Sequence, residues 1–209
     1  MTRFPNFPLH FITDRNQVPS GTIENVVMRA IDAGVDWVQI REKDLTARRL
    51  LAVTQAAVEH ARAAGRTRIV VNDRLDVALA AHAQGVHLGT RSLGPQVVRR
   101  LAPPGFVVGA SCHSLPEAQA AEAAGADYIL LGPIFATPSK LQYGSPLGLA
   151  ALREVTSQVS IPVMALGGIT LDRVAACRAN GAAGIAAIRL FQDSLSLDEL
   201  VRDLREAGG

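Results

Sequence analysis

The sequence predicts an α/β fold, a single-domain TIM (β/α)8 barrel over residues 1–209. Three observations predict it. Short apolar runs alternate with amphipathic, alanine-rich runs from end to end, which is the order of a parallel sheet with crossover helices. Eight such pairs can be counted, the number that closes a barrel. No Ser/Pro-rich linker or low-complexity stretch divides the chain. The competing architecture is a doubly wound open sheet, which uses the same alternation without closing.

The strand candidates, in order, are LHFIT (9–13), WVQIRE (37–42), RIVVND (68–73), GVHLG (85–89), FVVGAS (106–111), DYILLGP (127–133), IPVMALGG (161–168) and GIAAIR (184–189). Each is short enough for a strand and too short for a helix of ordinary length. Helical runs such as TARRLLAVTQAAVEHARAAG (46–65) and SLPEAQAAEAAGA (114–126) lie between them, and SLDELVRDLREA (196–207) closes the chain. A weak internal repeat supports the count. AGVDWVQI (33–40), AQGVHLG (83–89), AGADYILLG (124–132) and NGAAGIAAI (180–188) each pass from small residues and glycine into a strand. Glycine at a helix C-cap suits such a short αβ turn.

Composition narrows the function. With 48% hydrophobic residues and a formal charge of +2, the chain predicts a sizeable core and no nucleic-acid or membrane partner. The Pro-broken N-terminus does not read as a signal peptide, and no apolar run is long enough to span a bilayer. Cys112 and Cys177 are far apart and lack metal-ligand spacing. They suit small core positions and a cytoplasmic location.

In a barrel of this kind the C-terminal ends of the strands carry the chemistry, and the polar residues gather there. Gln39, Arg41 and Lys43 alternate at the end of the second run, so an extended chain aims them at one face. An unpaired cation there is costly to bury. A ligand anion would pair it, with Arg suited to a bidentate phosphate contact and Lys to a point-charge contact. Asp73 ends the third run, and two roles are open to it: a salt bridge to Arg41, or a Mg²⁺ ligand. Ser111 ends the fifth run. Thr137, Ser139 and Lys140 share the long loop FATPSKLQYGS, a candidate phosphate loop and lid over 135–146. Gly167 and Gly168 let backbone N–H groups approach an anion, with Arg189 as the neighbouring cation. His87 reads as a hydrogen-bonded barrel residue, Trp37 as packing, and His113 as a strand-end residue without an adjacent acid. No nucleophile–base pair is evident, which favours chemistry driven by a leaving group and positioning.

Taken together, VQIREK (38–43), VNDR (71–74), GVHLG (85–89), VGASCHS (108–114), DYILLGPIFATPSK (127–140) and IPVMALGGIT (161–170) resemble the thiamine phosphate synthase family, in the right order and over nearly the whole chain. The resemblance implies a transferase that joins a hydroxymethylpyrimidine diphosphate to a thiazole phosphate, with Mg²⁺ as cofactor and release of pyrophosphate. Only small-molecule partners are implied. It assigns Gln39, Arg41, Lys43, Asn72, Ser111 and Lys140 to the pyrimidine diphosphate, with Arg41, Lys43, Lys140 and Ser111 as the catalytic candidates. Thr137, Ser139, Gly168, Ile188 and Arg189 fall to the thiazole phosphate. Asp73 matches a magnesium ligand. Ser92 is the metal-site candidate where the family carries a second aspartate, Ser139 replaces a threonine, and Arg189 stands where serine is common. The related thiazole tautomerases share VGASCHS, but their resemblance calls for a histidine where this chain has Pro133. A non-catalytic barrel binding thiazole or thiamine phosphate is the third class.

Overall fold

In the computed structural model, residues 5–137 and 145–209 are described. Eight parallel strands form a closed barrel in sequence order. They are β1 (Leu9–Ile12), β2 (Trp37–Ile40), β3 (Arg68–Asn72), β4 (Gly85–Leu88), β5 (Val107–Cys112), β6 (Tyr128–Leu131), β7 (Val163–Leu166) and β8 (Gly184–Ala187). The pairing of β1 with β8, Leu9 opposite Ile185, closes the ring and excludes the open sheet.

The α-helices are α1 (Ile23–Asp32), α2 (Ala47–Ala64), α3 (Leu75–Ala80), α4 (Pro95–Leu101), α5 (Leu115–Ala123), α6 (Gly148–Gln158), α7 (Val174–Ala179), α8 (Arg189–Gln192) and α9 (Leu197–Gly208). The sequence has strong reasons to start several of them. Thr22, Thr46 and Ser114 each accept a backbone N–H with the side chain at the N-cap of α1, α2 and α5, which satisfies a donor left free by the first turn. The short helix α8 is not foreshadowed by the GIAAIR run, which continues strand character to Arg189. In the structure β8 stops at Ala187 and Arg189 opens α8.

Strand alternation sorts the core into two layers. Residues such as Phe11, Val38, Ile40, Ile69, Val71, Val86, Ile129 and Ile185 face outward and pack in the large core shared with the helices. Their alternating neighbours Ile12, Trp37, Val70, Val107, Tyr128, Leu130, Met164 and Ala186 form a separate apolar cluster. This second cluster is the barrel interior.

The glycine repeat serves two purposes. Gly34, Gly125 and Gly181 adopt left-handed backbone after their helices, as a C-cap glycine should. Gly85 does not. There His82 takes the left-handed turn, while a Cβ at Gly85 would stand 2.3 Å from the Val107 carbonyl oxygen. Gly85 is a contact point between β4 and β5, not a cap.

Candidate active site

The interior cluster carries a polar floor beneath the C-terminal rim. Gln39, on β2, is buried and donates from Nε2 to Asn72 Oδ1 at the end of β3, 3.0 Å away. Among the described residues, its own Oε1 and both ring nitrogens of buried His10 have no partner at hydrogen-bond geometry. His10 stacks on Trp37 with ring centroids 6.2 Å apart. Across the interior, His87 Nδ1 meets the Tyr128 hydroxyl at 3.2 Å, and Nε2 meets Ser111 Oγ at 2.8 Å.

Burial holds both imidazoles neutral. The pKa of His10 falls to about 3, chiefly by burial, opposed by the neighbouring Gln39 side chain. That of His87 also falls to about 3, first by burial and then because a second proton would be repelled by a protonated His10 and by the Arg41 cation. A neutral ring has one donor and one acceptor nitrogen, which matches the two partners of His87. This links Tyr128, His87 and Ser111 into one hydrogen-bonded row ending at the rim. Gly109 makes the row possible, since a Cβ there would lie 2.1 Å from Tyr128 Cζ.

Above this floor stand the cations. Strand β2 ends at Ile40, so the alternating pattern places Gln39 inside, but it does not extend as regular strand through Lys43. Arg41 is half-buried at the rim, and its Nη1 lies 3.9 Å from Asp14 Oδ2. Its salt-bridge partner in the structure is therefore Asp14, from the β1–α1 loop. Lys43 is exposed in the turn that follows. Asp73 is exposed on the next rim position, in left-handed backbone, with its N–H donating to the His87 carbonyl at 2.8 Å. Ser92, after β4, accepts the Gly89 N–H at 2.8 Å. Among the described residues no group of three His, Cys, Asp or Glu side chains is placed to hold a metal.

The opposite rim is built by β6, β7 and β8. Gly167 and Gly168 both have positive φ, and a Cβ at Gly168 would stand 2.7 Å from the Ala136 carbonyl oxygen. The glycine pair lets this turn press against the start of the β6–α6 loop, where Phe135 N–H donates to the Gly167 carbonyl at 3.0 Å. Arg173 fastens the turn, donating to the Gly168 carbonyl at 2.6 Å and lying over the Phe135 ring. The segment after the glycines is a 3-10 turn (Leu171–Arg173) leading into the six-residue α7. Ile188 packs on the interior cluster. Arg189 is exposed and pairs with Asp193 at 3.3 Å. Thr137 is half-buried at the start of the β6–α6 loop; Ser139, Lys140 and most of the expected lid lie outside the described residues.

Two features had no place in the sequence reading. Buried His10 lines the interior one turn of the pleat below the rim. Glu42, between two cations and out of phase with them, is also buried. His113 is drawn away from a catalytic role, its ring nitrogen meeting the Gly132 carbonyl oxygen and its backbone N–H donating to Glu117 at 2.7 Å.

Comparison with known proteins decides the kinship. Residues 9–191 match a family described as thiamine monophosphate synthase. The chain belongs to that family. With membership comes the family's activity, a transferase step that makes thiamine phosphate. A thiamine-phosphate synthase of Methanoculleus marisnigri is 42% identical over 200 residues, covering 96% of this chain and 94% of the relative. One from Moorella thermoacetica is 42% identical over 181 residues, 87% and 86% of the two chains. Among solved structures, a thiamine phosphate pyrophosphorylase from Pyrococcus furiosus superposes with a TM-score of 0.87 at 32% identity, covering 97% of this chain and 96% of that one. The barrel and family expected from sequence are those found.

Proposed function

We propose that this barrel joins hydroxymethylpyrimidine diphosphate to thiazole phosphate and releases pyrophosphate, using the rim from β2 to β5 together with Lys140 for the first substrate and the rest of the rim from β6 to β8 for the second. The observation that carries the reading is the contrast within the site. A neutral, partly unsatisfied floor of Gln39, Asn72, His87 and Ser111 suits an uncharged heteroaromatic ring. The cations Arg41 and Lys43 at the rim above it suit a diphosphate.

The chemistry then needs no base. As the bond from the pyrimidine methylene carbon to the diphosphate oxygen breaks, the electron pair leaves with pyrophosphate. The thiazole nitrogen supplies a lone pair to the same carbon and carries no proton to lose. Arg41, Lys43 and Lys140 stabilise the departing charge, and Ser111, braced by neutral His87, orients the pyrimidine. Thr137, Ser139, Gly168, Ile188 and Arg189 hold the second substrate. Arg189 reaches it by leaving Asp193, an exposed pair of small worth.

Asp73 and Ser92 fit Mg²⁺ as a site completed by substrate. One exposed carboxylate at a fixed rim position, with a hydroxyl and the diphosphate's own oxygens, is the sparse donor set this ion accepts. When bound, the ion neutralises part of the leaving group's charge. Binding of Mg²⁺ to the free protein is therefore expected to be weak and to tighten with pyrophosphate, measured by calorimetry. Both cysteines are buried thiols with raised pKa, about 12 for Cys112 and about 11 for Cys177, and suit the reducing cytoplasm.

Substrate omission tests the function. Thiamine phosphate should appear by mass spectrometry only with both substrates present. Conversion of a thiazole phosphate isomer without the pyrimidine would support the tautomerase reading instead.

A further inference from the structure

Glu42 has only 4% of its surface exposed, although it stands between Arg41 and Lys43 in the chain. Burying a carboxylate is costly unless donors surround it. The donors to its side chain among the described residues come from the β1–α1 loop. Thr13 Oγ1 donates to Oε1 at 2.6 Å, the Arg15 N–H donates to both oxygens at 3.1 and 3.2 Å, and the Arg15 guanidinium lies 3.6 Å away. Burial still raises its pKa above the ordinary value, opposed by these bonds. Arg15 in turn forks onto Asp44.

The same loop is gripped from the other side of the barrel seam. Buried Gln192, at the end of α8, accepts the Asp14 N–H at 2.8 Å and donates to the Asp14 carbonyl at 3.0 Å. The loop so fixed reaches Arg41 twice. Thr13 Oγ1, whose proton is committed to Glu42, accepts the Arg41 backbone N–H at 2.9 Å, and the Asp14 carboxylate sits 3.9 Å from its guanidinium. A hydroxyl that both donates and accepts has a fixed rotor, so the carboxylate sets where Arg41 leaves the strand.

We propose that Glu42 is a positioning residue that acts through Thr13 to aim Arg41 at the diphosphate subsite. The proposal rests on the functional reading above for the identity of that ligand. Glu42 itself touches no substrate.

The test is a double-mutant cycle read by binding of inorganic pyrophosphate with Mg²⁺, alongside steady-state kinetics. Thr13→Val keeps the shape and removes the hydroxyl. It should weaken pyrophosphate binding about tenfold or more and lower kcat/KM for the pyrimidine substrate at least as much, with KM for the thiazole substrate unchanged. Thr13→Ser should restore both. Glu42→Gln, which keeps one acceptor for Thr13, should fall between them and serves if Thr13→Val folds poorly. In an Arg41→Ala background Thr13→Val should have no further effect on binding. Wild-type pyrophosphate affinity in Thr13→Val, or an undiminished effect without Arg41, would overturn the proposal. If the wild type binds pyrophosphate but makes no thiamine phosphate, the functional reading falls, while a coupled cycle still supports Glu42 as the residue that aims Arg41.

Discussion

Arg41 is the residue on which the functional reading turns. Its guanidinium is half-buried and its only described ion pair, with Asp14, is long, so the protein loses little when it is removed. Arg41→Ala is expected to cut turnover at least about a hundredfold while stability changes by no more than about 1 kcal/mol. Urea denaturation and initial rates on the same preparation check both halves; a large loss of stability with ligand-insensitive melting of the wild type would make Arg41 structural. The inward placement of Gln39 was legible from sequence because strand geometry fixes which face a side chain takes. Arg41 and Lys43 lie beyond the end of β2, where that periodicity carries no information. The role of Glu42 was not legible, because its partners Thr13 and Arg15 are brought to it by the pairing of β1 with β2.

At the scale of elements, β5 and β6 show how backbone choice builds the floor. Gly109 leaves room for the Tyr128 ring to reach His87. Gly109→Ala should destabilise the fold by about 1–3 kcal/mol, as overpacking does, and should disturb Ser111 through the displaced ring. The urea midpoint is the measurement, and an unchanged midpoint would show that the interior can yield. The existence and order of all eight strands could be read from apolar runs, because parallel strands buried on both faces leave continuous apolar stretches. Their ends could not. GIAAIR and WVQIRE continue in composition past the last ladder bond, and only closure of the ring decides where pairing stops.

The whole molecule encloses two neutral imidazoles in a buried interior, and this couples its stability to acid. An unfolded histidine takes a proton near 6.5, whereas His10 and His87 take one only near 3 when folded. The unfolded state therefore binds more protons across that window. The stabilisation is full above pH 6.5 and drains as pH falls, by up to about 1.4 kcal/mol per pH unit for each ring. His10→Phe, which keeps an aromatic ring against Trp37, should flatten this acid limb in denaturation midpoints taken between pH 7 and 4; an unchanged slope would contradict it. Nothing in the spacing of histidines 10 and 87 announced the pairing, since their ring centroids come within 6.5 Å only once the barrel closes.

The central claim is that a barrel with a neutral floor and a cationic rim expels a diphosphate while joining two substrates. Pyrophosphate release tests it most directly, followed with both substrates, with each alone, and for Arg41→Ala. One pyrophosphate per thiamine phosphate formed, only when both substrates are present and nearly abolished in Arg41→Ala, is the predicted result. Release that ignores the thiazole substrate, or an Arg41→Ala protein as fast as the wild type, would contradict the account.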